Sequence, residues 1–392
     1  MPNRLRFLLS VLVLIGTVSN CSDHTDYPVG YDLIGRNTNV VLHEATLFNP
    51  QISRSFSPAL SPGNEPFIRL GERTDSLGTH RSITLIKFDG LPADITVNEA
   101  KLTLTVSGIH ALGDLEIKAY LLDESWDQYT SNWFEAAEDR PWQANWSAPQ
   151  LELENETVFN GTVNDSVVIT IKAETVQGWV NQRNDTPGLA LVASGGLIDF
   201  FSIQADTLHP YLRTQYVQKG ETKQADFLPF WDTFISENQP GPGLQGGDNI
   251  FIGSGYPYRV MLQFDVPDSL KQILTLDARL VLTPTSTLGA LIDRALRCYP
   301  AHGEWEADTT RGPSFPNDNY SIAYAETDSV SFYITPFFRE WLLNYGENYG
   351  LLLLITNELD DFRGVSFDNH PGAEGRGPRI ELKYYPAQEP WL

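Results

Sequence analysis

Cysteine is nearly absent from this chain of 392 residues, which has only Cys21 and Cys298, so no disulfide framework can hold its fold together. Basic residues are scarce as well. Against 50 Asp and Glu there are 27 Lys and Arg, and the formal net charge of -23 repels nucleic-acid phosphates and anionic lipid alike, which excludes both as unaided partners. The histidines His24, His43, His80, His110, His209, His302 and His370 fall into no HExxH or other paired metal-ligand spacing. No GxSxG, P-loop or strand-to-helix GxGxxG occurs, and acidic pairs such as Asp360-Asp361 are expected as solvated turns where carboxylates are this abundant. The chain is therefore read as non-enzymatic. Helical periodicity is almost missing too, which excludes helical bundles and parallel βαβ winding.

One long apolar run is present. FLLSVLVLIGTV, from Phe7 to Val18, follows Arg4 and Arg6 and is short for a bilayer crossing, so it reads as an export signal. It closes on Val18-Ser19-Asn20-Cys21, which resembles a bacterial lipobox, after which the cysteine is acylated and becomes the first residue. The resemblance makes Cys21 the lipid anchor, residues 1–21 the signal peptide and the acidic, polar stretch 22–30 a tether. The expected location is the outer membrane, on its surface or periplasmic face, with the acyl chains the sole contact with lipid. An ordinary secretory signal, with Cys21 incidental, is the alternative. Cys298, in the apolar run RALRCYP, is expected as a small buried hydrophobe.

The remainder is written in strands. ITLIKFD, AKLTLTV, LEIKAYLL, SVVITIKA and GLALVAS alternate or are β-branched, and Gly, Pro, Asn and Asp bound them. Two short segments have helical spacing, AETVQGWVNQ around Trp179 and TPFFREWLLNYG around Trp341, each ahead of a Gly-led apolar strand. These landmarks recur in order. Phe88, Ala100, Trp126, Trp179, Gly188, Pro210 and Tyr216 are matched by Phe264, Ala278, Trp305, Trp341, Gly350, Pro378 and Tyr384, with length differences confined to polar or Gly- and Pro-rich stretches. The pattern predicts an all-β protein of two tandem jelly-roll-like β-sandwich domains, 31–217 and 225–388, each with one short helix and joined by the polar linker 218–224. The paired Phe and Trp landmarks are expected in the cores.

The order DTFIS, then GSGYPYRVMLQFDVP, then ARLVLT, then FFREWLLNYGENYGLLLLI and finally GPRIELKYY resembles the DNRLRE-type domain of secreted bacterial proteins. The second copy keeps Asp232, Thr233, Ile235, Gly253, Arg259, Phe264, Asp265, Ala278, Gly350 and Tyr384 of that pattern. The first keeps Phe88, Asp89, Ala100, Gly188 and Tyr216, but its Arg81 stands two places further from the Phe, and the Asp-Thr-x-Ile opening is missing. Such domains are similar to jelly-roll carbohydrate-binding modules, so the resemblance implies glycan binding and leaves the ligand unnamed.

Binding candidates follow from composition. The stretch from Asp123 to Ser147 carries Trp133, Trp142 and Trp146 among acids and amides, suited to stacking on sugar faces, with a self-packed loop as the alternative. Tyr256 and Tyr258 in GSGYPYR, and Trp231, are weaker counterparts. The loops GGDN and ELDDF could hold a structural Ca²⁺ through oxygen ligands, although neither has a full ligand pattern; no other cofactor is expected. The expected role is a non-catalytic glycan-binding or adhesion module for polysaccharide or envelope glycan, and the alternative is a structural component of a surface assembly that binds proteins.

Overall fold

Short alternating runs between turn-forming residues commit the chain to sheets, and the computed structural model has 57% of its residues in strands and 7% in helix. It describes residues 41–146, 151–182, 186–241, 247–288, 295–305, 312–343, 348–360, 362–370 and 376–386. The fold is all-β and of sandwich type, with antiparallel sheets.

The first half opens with β1 (His43–Leu47), β2 (Ile52–Phe56), β3 (Phe67–Asp75), β4 (Gly78–Phe88) and the long β5 (Ile95–Leu121). A loop bearing β6 (Glu135–Ala137) and β7 (Arg140–Pro141) leads to β8 (Leu153–Phe159), β9 (Ser166–Ile171) and helix α1 (Ala173–Gln182). Then come β10 (Leu189–Phe201), β11 (Tyr211–Gln218), β12 (Glu221–Phe227) and β13 (Pro229–Pro240). The second half runs through β14 (Asn249–Ser254), β15 (Arg259–Gln263), β16 (Ile273–Leu282), β17 (Pro284–Leu288) and β18 (Leu296–Pro300). It ends with β19 (Ser321–Ala325), β20 (Val330–Tyr333), helix α2 (Thr335–Leu342), β21 (Leu351–Ile355), β22 (Arg363–Asp368) and β23 (Arg379–Pro386). Both helices lie on the segments with helical spacing.

Inward-facing residues of alternating strands build two large cores. Leu102, Leu104, Ile169, Ile171, Leu189 and Leu191 meet in the first, where Phe88 and Trp179 stack with ring centres 6.2 Å apart. Leu280, Leu282, Phe332, Leu351 and Leu353 surround Phe264 in the second, with Trp341 packed at its margin and Cys298 fully buried inside. Burial pushes the Cys298 thiol far above its usual range, so it stays protonated and inert. Trp126 and Trp305 differ from expectation. They lie in separate clusters on the outer faces of the sheets, Trp126 against Ile83 and Leu85, Trp305 against Phe56 and Met261.

Register carries the repeat further than spacing does. Leu212 of β11 faces Phe227 of β12 as Ile380 of β23 faces Leu47 of β1, and Lys87 of β4 faces Trp231 of β13 as Gln263 of β15 faces Ile52 of β2. The corresponding strand pairs have been exchanged, however. β12 and β13 complete the first-half sheet, on β11 and β4, while β1 and β2 lie at the two ends of the nine-strand order β1-β23-β16-β20-β19-β18-β21-β15-β2 of the second half. Segment 218–224 accordingly lies within a hairpin of one sheet, spanning the end of β11, its turn and the start of β12. Lys219 and Gly220, both at positive φ, form the two-residue connection whose twist matches its flanking strands.

Candidate functional site

β3 opens on FIRLG and β10 closes on LIDFF, two segments apolar but for one charge each, and their antiparallel register sets Arg69 directly across from Asp199. Arg69 is fully buried, and its Nε and Nη2 donate to the two Asp199 carboxylate oxygens at 2.8 and 3.0 Å. Nη2 also donates to the Asp360 carbonyl at 3.1 Å. His110 of β5 places Nε2 2.7 Å from Asp199 Oδ2 and 3.3 Å from Arg69 Nη2. Phe67, Phe234 and Phe362 ring the guanidinium, with their ring centres 5.1, 5.8 and 5.1 Å from Cζ. Among the described residues Arg69 Nη1 has no hydrogen-bond partner. Burial alone would raise the Asp199 carboxyl, but the Arg69 guanidinium and His110 together hold it below the usual carboxylate range, so it is ionised.

Phe362 and Asp360 come from the loop before β22, so this cluster joins the two halves. The Phe362 ring packs edge-on to His80, His110 and Tyr256 at 4.9 to 5.5 Å between centres. His80 of β4 is buried between Asn238 Oδ1 at 2.7 Å and Ser82 Oγ at 2.8 Å, and burial, reinforced by Arg69, lowers its pKa to about 3. It is a neutral bridge that fastens β13 to β4.

Beside the ion pair opens a cleft of about 560 Å³. His110 and Asp199 line it together with Ser107, Gly108, Phe67 and Phe201, and Asp206, Thr207 and Asp360 complete its lining. Asp206 and Thr207 belong to the loop after β10, which is tied down by Ser202 Oγ donating to the Glu65 carbonyl at 2.7 Å and Ile203 N donating to Asp232 Oδ2 at 2.7 Å. Asp232 is buried on β13, its Oδ1 without a partner among the described residues, and burial raises its pKa to about 7. Burial and the Asp360 charge likewise raise the Glu65 carboxyl. Carboxylates thus crowd this end of the molecule, and Arg69 offsets one of them from below.

Chemically the cleft offers aromatic faces, carboxylate acceptors and hydroxyl or imidazole donors. Among the described residues no three His, Cys, Asp or Glu side chains are grouped to hold a metal ion. Gly246 and Asp361 of the two calcium-candidate loops lie outside the described residues, and Glu358 is engaged by Arg259 through two bonds of 2.7 and 2.8 Å. Cys21 also lies outside them.

The aromatic residues singled out by composition are elsewhere and mostly buried. Trp133 and Trp146, 8% and 3% exposed, fold with half-buried Trp142 over the outer face of the first-half sheet, against Ile83, Leu85, Ala190 and Ile235. Trp142 meets Trp146 edge-on at 5.0 Å and donates Nε1 to the Asn132 carbonyl at 2.7 Å. The loop covers the outer face of the sheet, where Ile83 and Leu85 of β4 point away from the first core. Tyr256 and Tyr258 are buried with Phe251 between the halves, and Tyr256 donates to Asp75 Oδ2 at 3.0 Å. Neither offers a ring face to solvent. Arg69, Asp199 and His110 carried a readable signal all the same: a single charge inside an apolar strand requires an opposite charge across the sheet.

No family model matches the chain, and no curated protein matches it. Among solved structures, a C-terminal domain of the AgI/II polypeptide BspA of Streptococcus agalactiae aligns at 11% identity over 88% of this chain and 92% of its own, with a TM-score of 0.15. The Macrobrachium rosenbergii nodavirus structure aligns at 10% identity over 93% and 95%, with a TM-score of 0.13. At such scores the likeness carries no argument about fold or role.

Proposed function

We propose that this chain is a non-catalytic exported lipoprotein, held at the bacterial outer membrane through Cys21, whose DNRLRE-like sandwiches bind a polysaccharide or envelope glycan, and that the sugar sits in the cleft between the halves. One observation carries the reading: Phe67 and Phe201 share a single cleft with His110, Asp199, Asp206 and Thr207, which pairs stacking faces with hydroxyl-binding groups. Its acidic lining suits neutral or amino sugars and repels uronic or sulfated ones. A structural role with protein partners is favoured by a different observation, the exposed Ile322, Tyr324 and Tyr333 on the outward side of β19 and β20.

A glycan array tests the choice, with the full chain carrying Cys21→Ser compared with Phe201→Ala/Asp206→Asn and with Trp142→Ala, in calcium and in chelator. Binding to neutral or amino glycans that falls at least about tenfold in the cleft variant alone supports the reading, since each 1.4 kcal/mol of lost contact is a factor of ten. Loss in Trp142→Ala alone returns the site to the tryptophan loop, and no binding to any glycan favours the protein-binding role.

A further inference from the structure

We propose that the arm formed by β1 and β2, residues 43–56, is an exchangeable donor, and that two copies of this chain join by each laying its arm on the second-half sheet of the other. The arm holds both terminal places in the nine-strand order, beside β23 and β15, so its departure removes edge strands and opens no gap among those that remain. Its grip is shallow. Phe56 is the arm's one buried residue, and Ala45, Leu47 and Ile52 are half-buried, whereas β13 sends Asp232, Thr233, Phe234 and Ile235 fully inside the first half. The connection from the arm to β3, residues 57–66, contains Pro58, Pro62 and Pro66 and neither helix nor strand; Gln128 Nε2 on the Gly63 carbonyl at 2.6 Å and Ser202 Oγ on the Glu65 carbonyl at 2.7 Å pin its far end to the first half, which leaves residues 57–60 as the place where the arm can turn outward.

Distance along the chain separates the two strand pairs. β12 follows β11 through a two-residue turn and closes on it as it forms, but His43 must find Tyr384, more than three hundred positions away. Until the two halves have packed together, the gain from belonging to the same chain is small for so long a loop, because linker length dilutes the effective concentration of the tethered partner. A neighbouring copy, crowded on the same surface, therefore offers an equivalent arm. The occupant is a second copy of this chain because the fit is particular: Glu44 meets Lys383 at 3.7 Å, Phe56 packs on Trp305 with ring centres 4.8 Å apart, and Ala45 and Leu47 close the second core.

The test uses the full chain with Cys21→Ser, kept reduced until refolding has buried Cys298 away from the oxidant. Glu44→Cys is placed in one preparation and Lys383→Cys in another, both at exposed positions that face each other across β1 and β23. Refolded together from denaturant and oxidised, the mixture is expected to yield a disulfide-linked dimer whose fraction grows with concentration. The double variant Glu44→Cys/Lys383→Cys reports the same contact within one chain when refolded dilute. Closure of the double variant with only monomer from the mixture overturns the proposal, and failure of the double variant to close overturns it too, because the arm would then not lie on β23.

Discussion

The two halves share one register and fill it differently where they meet. In the first, Ile68, Arg69, Leu70 and Gly71 of β3 face Phe200, Asp199, Ile198 and Leu197 of β10. In the second, Ile250, Phe251, Ile252 and Gly253 of β14 face Phe367, Ser366, Val365 and Gly364 of β22. The core-facing members, Ile68 with Phe200 and Ile250 with Phe367, are conserved in character between the halves. The outward members are not, and an ion pair in one half answers a Phe and a Ser in the other. A sandwich constrains the face that fills its core, whereas the opposite face is free to take whatever its neighbour requires. The junction is accordingly where the halves diverge, and it is also where the cleft opens.

The largest effect is expected from breaking that pair. Arg69→Ala leaves the buried Asp199 charge uncompensated and should cost about 3–5 kcal/mol in a urea titration. Arg69→Phe/Asp199→Ser, which imports the second half's solution, should recover most of the loss, since apolar replacements of a buried pair are often neutral or better. A loss as large as that of Arg69→Ala would mean that the two faces are not interchangeable.

Smaller and pH-dependent effects come from the strands that cross between the halves. In the fold Asp232 keeps its proton up to about pH 7 against 3.8 when unfolded, so its contribution to stability is lost as pH rises through that window. His80 runs the other way. It takes a proton near 6.5 when unfolded but only near 3 in the fold, so stability is lost as pH falls below 6.5. The slopes oppose each other between about pH 4 and 6.5. Asp232→Asn should leave stability rising with pH over that range and exceed the parent by a few kcal/mol at pH 8, at roughly 1.4 kcal/mol per unit of pKa difference. His80→Gln should leave it falling. Urea midpoints at three pH values check both signs; the place corresponding to Asp232 on the arm is held by Ser53, which adds no titration of its own.

The smallest effect belongs to the hairpin turn. Gly220→Ala meets no neighbouring atom, so its cost is that of the backbone at φ +83 alone, about 1–2 kcal/mol. Hydrogen exchange should place the loss in β11 and β12 and leave β23 and β1 unchanged, which separates the contiguous strand pair from the remote one.

Much of this fold was legible in the sequence because strand alternation and turn residues are local signals. The two helices sit where Trp179 and Trp341 fall at helical spacing, and the landmarks from Phe88 to Tyr216 recur because each packs in an equivalent place. The exchange of strand pairs was not legible, since β2 and β13 are alike as strings and only tertiary contacts decide which edge each joins. The burial of the tryptophans was not legible for a related reason. Their composition suits a sugar platform and a hydrophobic cover equally, and what decides is that Ile83 and Leu85 point away from the first core while Ile86 and Phe88 point into it. Arg69 and Asp199 were visible as lone charges, but their meeting with Phe362 needs the whole chain in place.

The arm is made early and its partner late. At about 5–20 residues per second of synthesis, on the order of half a minute separates the emergence of β1 from that of β23. During that interval β1 is unpaired, as is β2 until β15 follows, the condition in which bare strands aggregate. Their sequences, HEATL and ISRSF, put Glu44 and Arg54 amid their few apolar side chains, gatekeepers against premature pairing. The shallow burial that makes the arm a weak edge in the finished fold is also what keeps it soluble while it waits.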